Sequence, residues 1–432
     1  MQDARVNKLL FILAFVVMLA RAFLFTGATP VLHVALLAVK FALVPVALIL
    51  VLRTPGKPTP IDLALLLYGV VMAVCCLINH TQVLTITLMA LDIFIFWALC
   101  RWFFVRKSLF PLKAVSLILL AFIALNFVLL LWRPGGLWKY EVNGKMYYLL
   151  GGNYNNMGKA LFMALVSNML LLRLLPHDAY RSRWFYRATL IAILLLSAGT
   201  LAVVGSMTSV VGIALLLAFG LLMLLTSLNV NRSPLNVKRS PLNVNRSTFN
   251  VLRSLSVVLF IAVYFALQSW AVFRDQDTDA PKAQYFVEHV LKKDMTFSFR
   301  THVWDAAKRL IERQPVVGYG EHDDQWYQLE LDGLTTHNLV LHILLKGGWV
   351  CLSAFILLLL TTHLSLLRSS LNVNRSSLNV KRSPVHRDVA FILLFALWTY
   401  LFMQIFEVYT FYTQSMLFIY ASCLSSLLPE GE

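Results

Sequence analysis

The stretch from Val31 to Arg53 reads "VLHVALLAVKFALVPVALILVLR" and decides the class of the fold. It interrupts its apolar run with a single charge, Lys40, before Arg53 closes it. About 20 apolar residues in helical form cross the hydrocarbon core of a bilayer, so residues 31–52 read as one membrane span. Runs of this kind recur along the chain, near 8–26, 61–79, 83–104, 113–132, 157–175, 187–204, 208–227, 254–273, 348–367, 389–407 and 410–428. The expectation is an all-α, polytopic membrane protein of about twelve transmembrane helices with one large extracytoplasmic loop containing short helices. Composition agrees: 59% of the 432 residues are hydrophobic and only 13% charged, too few charges to cover that much apolar surface in water.

The net charge of +16 would suggest nucleic acid in a soluble protein, but its distribution argues for a bilayer. Segment 274–335 holds 12 of the 21 acidic residues and 8 of the 37 basic ones, a local charge of −4 against +20 elsewhere. Every second connection is basic: Arg53 and Lys57, then Arg101, Arg106 and Lys107, then Arg181, Arg183 and Arg187, then the loops after Ser227 and Leu367. The positive-inside rule then places both termini in the cytoplasm and 274–335 on the outer face. The first run resembles a signal peptide but lacks a small-residue cleavage site and is read as the first span. The five cysteines lie in apolar runs and form no disulfide framework or metal-ligand spacing.

Three parts follow: 1–273 with nine spans, the outer segment 274–335, and 336–432 with three spans. The basic loops 227–253 and 368–388 carry a heptapeptide repeat, "SLNVNRSPLNVKRSPLNVNRSTFNVLRS" from Ser227 and "SLNVNRSSLNVKRSP" from Ser370. Its apolar residues fall two apart and Pro234 and Pro241 interrupt it, which excludes a coiled coil and leaves solvated cytoplasmic insertions. The Asn231, Asn245 and Asn374 sequons have no meaning on that side.

In the outer segment, "VWDAAKRLIER" from Val303 puts Trp304, Ala307 and Ile311 on one helical face. Pro315 stops that helix, and "PVVGYG" forms a tight turn at Gly318 and Gly320. A lone GxG with no preceding strand is poor evidence for a dinucleotide site. "TTHNLVLHIL" follows from Thr335. His337 and Asn338 there either cap the next helix or form a catalytic pair. Upstream, Asp275, Asp277 and Asp279 fail as an EF-hand loop, because Ala280 and Phe286 stand where glycine and glutamate belong. A metal-binding DxD and an acidic surface loop both remain open.

The order "FRTHVWDAAKRLIERQPVVGYG", "THN", "LVLHILLKGGWVCLSAFILLLL" resembles the O-antigen ligase and polymerase superfamily. Its members show an arginine, a tryptophan, a Pro-x-x-Gly-x-Gly turn, a His-Asn opening the next helix, and a glycine pair, here Gly347 and Gly348. "GGNYNNMGKALFMAL" is similar to the Asn-rich start of a central span in that family, with Asn153, Asn155 and Asn156. The resemblance covers about 150–430, and the first five spans match only in hydropathy. One departure is Met207, in "GSMTSVVG", where family ligases carry an arginine.

The resemblance implies transfer of glycan from an undecaprenyl-pyrophosphate-linked donor to a hydroxyl on a lipid- or glycan-bearing acceptor, as in lipopolysaccharide assembly, on the outer face of a bacterial inner membrane. It implies His337 as general base and Arg300 as pyrophosphate contact. Asn155, Asn156, Trp304, Gly318, Gly320, Asn338 and Glu407 would bind or position substrate. No metal and no cofactor are expected, and no nucleic acid; besides donor and acceptor, the partners are membrane lipids. The chemistry suits the residues: imidazole exchanges protons near neutral pH, and guanidinium binds phosphate oxygens in pairs. Taken without the resemblance, Arg300 reads as a surface partner of Asp305 or Glu312. His342 is expected to point away from His337, and Lys346 to need an interface or a cavity. Arg21, Lys40, Asp62, Asp92, Arg173 and Glu407, charged within or beside spans, also need partners. "RPGGLWKYEVNGKMYYL" (Arg133 to Leu149) reads as an interfacial aromatic belt, with a sugar platform as the alternative. The rival functions are a repeat-unit polymerase, nearer because of Met207, and a twelve-helix transporter, which lacks a visible duplicated half.

Overall fold

The computed structural model describes residues 2–23, 30–133, 155–176, 178–204, 207–230, 258–269, 300–331, 335–370, 384–405 and 411–427. Among these residues every regular element is a helix. The first eight are α1 (Gln2–Phe23), α2 (Pro30–Arg53), α3 (Pro60–Ile78), α4 (Val83–Val105), α5 (Phe110–Trp132), α6 (Asn155–Leu174), α7 (Tyr180–Val204) and α8 (Met207–Val230). Then come α9 (Val258–Ser269), α10 (Arg300–Arg313), α11 (Asp324–Leu331), α12 (Leu339–Ser370), α13 (Pro384–Met403) and α14 (Phe411–Leu427). Each apolar run in the sequence overlaps one of these helices over its described residues. Six of them, α2 to α6 and α12, are long and apolar enough to cross a membrane by length and composition. Residues 231–253 and 371–383 of the heptapeptide-repeat loops, the Asp275–Asp279 stretch, most of the Arg133–Leu149 segment and Glu407 lie outside the described residues.

Helix α3 shows how the sequence specifies both its start and its environment. Pro60 occupies the first turn, where its missing N–H costs nothing, and Thr59 caps the helix in a reciprocal box with Asp62. Tyr68, Met72, Cys75 and Cys76 turn inward, while Leu63, Leu66, Val70, Val74 and Leu77 are exposed. A helix apolar on both faces, one packed and one bare, is built for a hydrocarbon surround.

Helices α6 and α13 form the centre of the bundle. From Met157 to Val166 every residue of α6 is buried, and so is α13 from Asp388 to Leu401. Helices α5, α7 and α8 pack on α6; α8, α12 and α14 pack on α13; α3 lies along α12, and α4 joins α2 to α14. Polar contacts fix which helix ends lie together. At one end, Gln82 N–H donates to the Glu321 carbonyl at 3.1 Å and Leu339 N–H to the Gln404 carbonyl at 3.0 Å. At the other, Ser422 and Arg101 both meet Asp62, and Arg173 pairs with Asp388. The first will be called the upper end.

The charges inside the bundle have partners. Lys40 on α2 donates to Asp92 on α4 at 2.7 Å and to the Leu88 carbonyl at 3.1 Å, with side-chain exposures of 1% for Lys40 and 3% for Asp92. Asp62 accepts from Arg101 at 3.4 Å, from the Trp97 indole at 2.7 Å and from Ser422 at 2.5 Å. A buried pair is stable only while both members remain. Lys40→Met is therefore expected to cost about 3–5 kcal/mol by removing the cation 2.7 Å from the buried Asp92 carboxylate, while Lys40→Met with Asp92→Leu recovers most of it. Thermal denaturation of the two variants in detergent measures the difference, and equal losses would refute the pairing energetics.

Candidate functional site

The upper end is organised by a break in α12. Gly348 adopts φ 59, ψ −163, a conformation open essentially to glycine alone, inside what is otherwise one long helix. The break leaves backbone groups without helical partners, and the PVVGYG turn supplies them. Trp349 and Val350 N–H donate to the carbonyls of Pro315 (2.9 Å) and Val316 (3.2 Å). In return, Tyr319 and Gly320 N–H donate to the carbonyls of Leu345 and Lys346, both at 2.8 Å.

The glycines are what allow this approach. A Cβ on Gly318 would lie 2.6 Å from the Leu345 carbonyl oxygen, and one on Gly348 would lie 2.2 Å from that of Val316. Gly318 and Gly320 thus sit against α12 and the α3–α4 turn, with Gly320 facing Thr81. Two more contacts hold the strap: Gln314 Nε2 donates to Asn79 Oδ1 at 2.7 Å, and Lys346 Nζ reaches Glu321 Oε2 at 2.5 Å. Tyr327 on α11 also hydrogen-bonds Lys346.

Just above the break stands the His-Asn pair. Asn338 is the N-cap of α12: its Oδ1 accepts from Leu341 N–H at 3.1 Å. The same oxygen accepts from Gln268 Nε2 on α9 at 2.9 Å, and Asn338 Nδ2 donates to the Ile405 carbonyl at 3.1 Å. One fully buried amide therefore ties α9, α12 and the end of α13 together. His337 does not cap. It has a left-handed backbone, φ 47, which is strained for a residue with a side chain, and its ring is half-buried. The strain is held from both sides, by Asn338 and by Thr336, whose carbonyl accepts from the Trp304 indole at 2.8 Å. Trp304 is fully enclosed, so it acts on this site through the Thr336 backbone.

The sequence missed the role of His342. Because His337 stands before the helix, His342 does not point away from the site. Its Nδ1 lies 3.4 Å from Thr336 Oγ1, and the ring is in electrostatic reach of both His337 and Lys346. His342 and Lys346, four residues apart, share a helix face, and that spacing was the available signal. Gln404 was missed as well. Its side chain is 0% exposed, and among the described residues neither Nε2 nor Oε1 has a hydrogen-bond partner, beside the carbonyl that receives Leu339 N–H. Leaving such a group unsatisfied costs about 1–3 kcal/mol, which marks a place where polar chemistry is retained.

Of the residues singled out from sequence, the structure gathers Trp304, Gly318, Gly320, His337 and Asn338 at the upper end. Arg300 opens α10 and Asn155 opens α6, followed by Asn156, but these three side chains and that of Met207 are outside the described set. Asp305, considered above as an Arg300 partner, pairs with Lys308 at 2.7 Å.

The sequence profile described as O-antigen ligase matches 191–356, a segment that contains α10, the PVVGYG strap, His337 and the break at Gly348. Residues 191–356, fewer than half of the 432, are similar to the O-antigen ligase family. No curated protein matches the chain. The match points to ligase- or polymerase-type handling of glycan by a multi-pass membrane protein.

Proposed function

We propose that this protein transfers glycan from an undecaprenyl-pyrophosphate-linked donor to an acceptor hydroxyl, at the upper end and on the outer face of the bacterial inner membrane. The observation that carries the reading is His337, held in a left-handed conformation by the Trp304–Thr336 bond and the Asn338 clamp within the family segment. Strained backbone at a residue able to carry a proton is characteristic of a working site. His337 takes the acceptor O–H proton as that oxygen attacks the anomeric carbon. The bond from that carbon to the pyrophosphate oxygen breaks, and Arg300 stabilises the departing anion. Asn155, Asn156 and Glu407 complete the site as positioning groups. The reading assigns no metal and no cofactor.

Twelve spans with cytoplasmic termini are part of this proposal. In support of it, Arg53, Lys57, Arg101, Arg106, Lys107, Arg173 and Arg183 all belong to the end opposite His337, as the positive-inside rule requires. Met207, standing where family ligases place an arginine, favours repeat-unit polymerisation as the second reading. Reconstituted protein supplied with carrier-linked glycan and acceptor tests the reaction; release of undecaprenyl pyrophosphate only when both are present is the expected result, and its absence refutes the reading. Gene deletion separates the two variants of it. Single repeat units on the anchor indicate a polymerase, and a bare anchor with long carrier-linked chains indicates a ligase.

A further inference from the structure

The end of the bundle opposite His337 carries a second cluster. Asp388 lies in the second turn of α13 and Gln404 just beyond its last residue, so a rise of about 24 Å separates them, most of the hydrocarbon thickness of a bilayer. At the lower end Arg173, from α6, pairs with Asp388, and its side chain is still 28% exposed, although its Nε is buried and without a hydrogen-bond partner among the described residues. Arg183, from α7, donates to the Leu175 carbonyl at 3.0 Å and lies in electrostatic reach of both Arg173 and Arg187. Three guanidiniums thus converge where one carboxylate is engaged.

Helix α7 places this cluster at a bilayer boundary. Tyr180, Trp184, Ile191 and Leu195 are 80%, 68%, 57% and 69% exposed, and their spacing lines them along a single stripe. The aliphatic part of that stripe belongs in hydrocarbon and the aromatic part at the headgroup level. Arg183 and Arg187, also one turn apart, run beside it. A ligand here meets guanidiniums at the water side and bare apolar surface one turn into the membrane. A phosphodiester carrying acyl chains fits both; a free anion fits only the first.

We propose that Arg173, Arg183 and Arg187, flanked by Tyr180 and Trp184, form a binding site for the headgroup of an anionic phospholipid. This site is independent of the transfer chemistry at the upper end. The full-length protein in neutral detergent is titrated with cardiolipin, with phosphatidylcholine, and with inorganic pyrophosphate, reading the shift in Tm and the bound lipid by native mass spectrometry. Cardiolipin raises Tm and the other two do not. Arg187→Gln, a change at an exposed side chain, weakens the cardiolipin effect about fivefold, and Arg183→Gln with Arg187→Gln about 25-fold. Arg106→Gln, at the same end but outside the cluster, leaves it unchanged. Equal stabilisation by phosphatidylcholine, equal stabilisation by pyrophosphate, or equal weakening by Arg106→Gln overturns the proposal.

Discussion

His337→Ala is expected to insert and fold but to lose glycan transfer by about 10²- to 10⁴-fold, the usual contribution of a positioned base. The backbone at this position complicates the alanine result, because φ 47 is unfavourable for alanine too. His337→Asn removes that ambiguity. Asparagine tolerates the left-handed region better than most residues, yet its amide cannot accept a proton at neutral pH. Both variants should therefore be inactive, with the asparagine form matching the wild type in Tm. Near-normal transfer by His337→Asn would make the residue a conformational element and remove it from the chemistry. Asn338→Ala should behave in the opposite way. It deletes a cap and two interhelical ties, so its loss appears first in Tm and only then in activity.

The second large effect is at Gly348. Alanine there must adopt φ 59, ψ −163, and its Cβ would lie 2.2 Å from the Val316 carbonyl oxygen and 2.5 Å from that of Pro315. Both obstacles are backbone, so no side chain can move aside. The strap must leave α12, exposing the Trp349 and Val350 N–H groups, and the expected destabilisation is at least about 3 kcal/mol. Gly69→Ala is the matched control: it lies in α3 with nothing within 4 Å of the added carbon, and should be neutral or stabilising by up to about 1 kcal/mol. Thermal denaturation of both variants decides the matter. A Gly348→Ala protein as stable as Gly69→Ala would show that the break is not required.

Apolar run length located the helices well, because a span is fixed by a physical thickness that the sequence must match. Pro315 and the Trp304–Ala307–Ile311 face likewise made α10 legible, and both residues ending that face are buried as the spacing demands. The break in α12 was harder to see. Gly347 and Gly348 are visible as letters, but the reason one of them takes a conformation barred to other residues lies some thirty positions earlier, in a strap with no apolar period. The letters of the His-Asn pair fit a helix cap and a catalytic pair alike. Structure divides them, giving the cap to Asn338 and the strained position to His337. The direction of His342 was misjudged for a related reason: helical spacing from His337 has no meaning when His337 is not in the helix. Gln404 offers no signal at all in sequence, since an amide near the end of an apolar run looks the same whether or not it is satisfied.

The splice between the PVVGYG strap and α12 also sets an order of events during synthesis. The carbonyls of Pro315 and Val316 leave the ribosome more than thirty residues before the Trp349 and Val350 N–H groups that need them. A bilayer offers no substitute for those acceptors. Residues 300–320 must therefore already be folded into α10 and turned back as the strap before the upper end of α12 can settle. The chain waits with a finished bracket for the helix that will be broken against it.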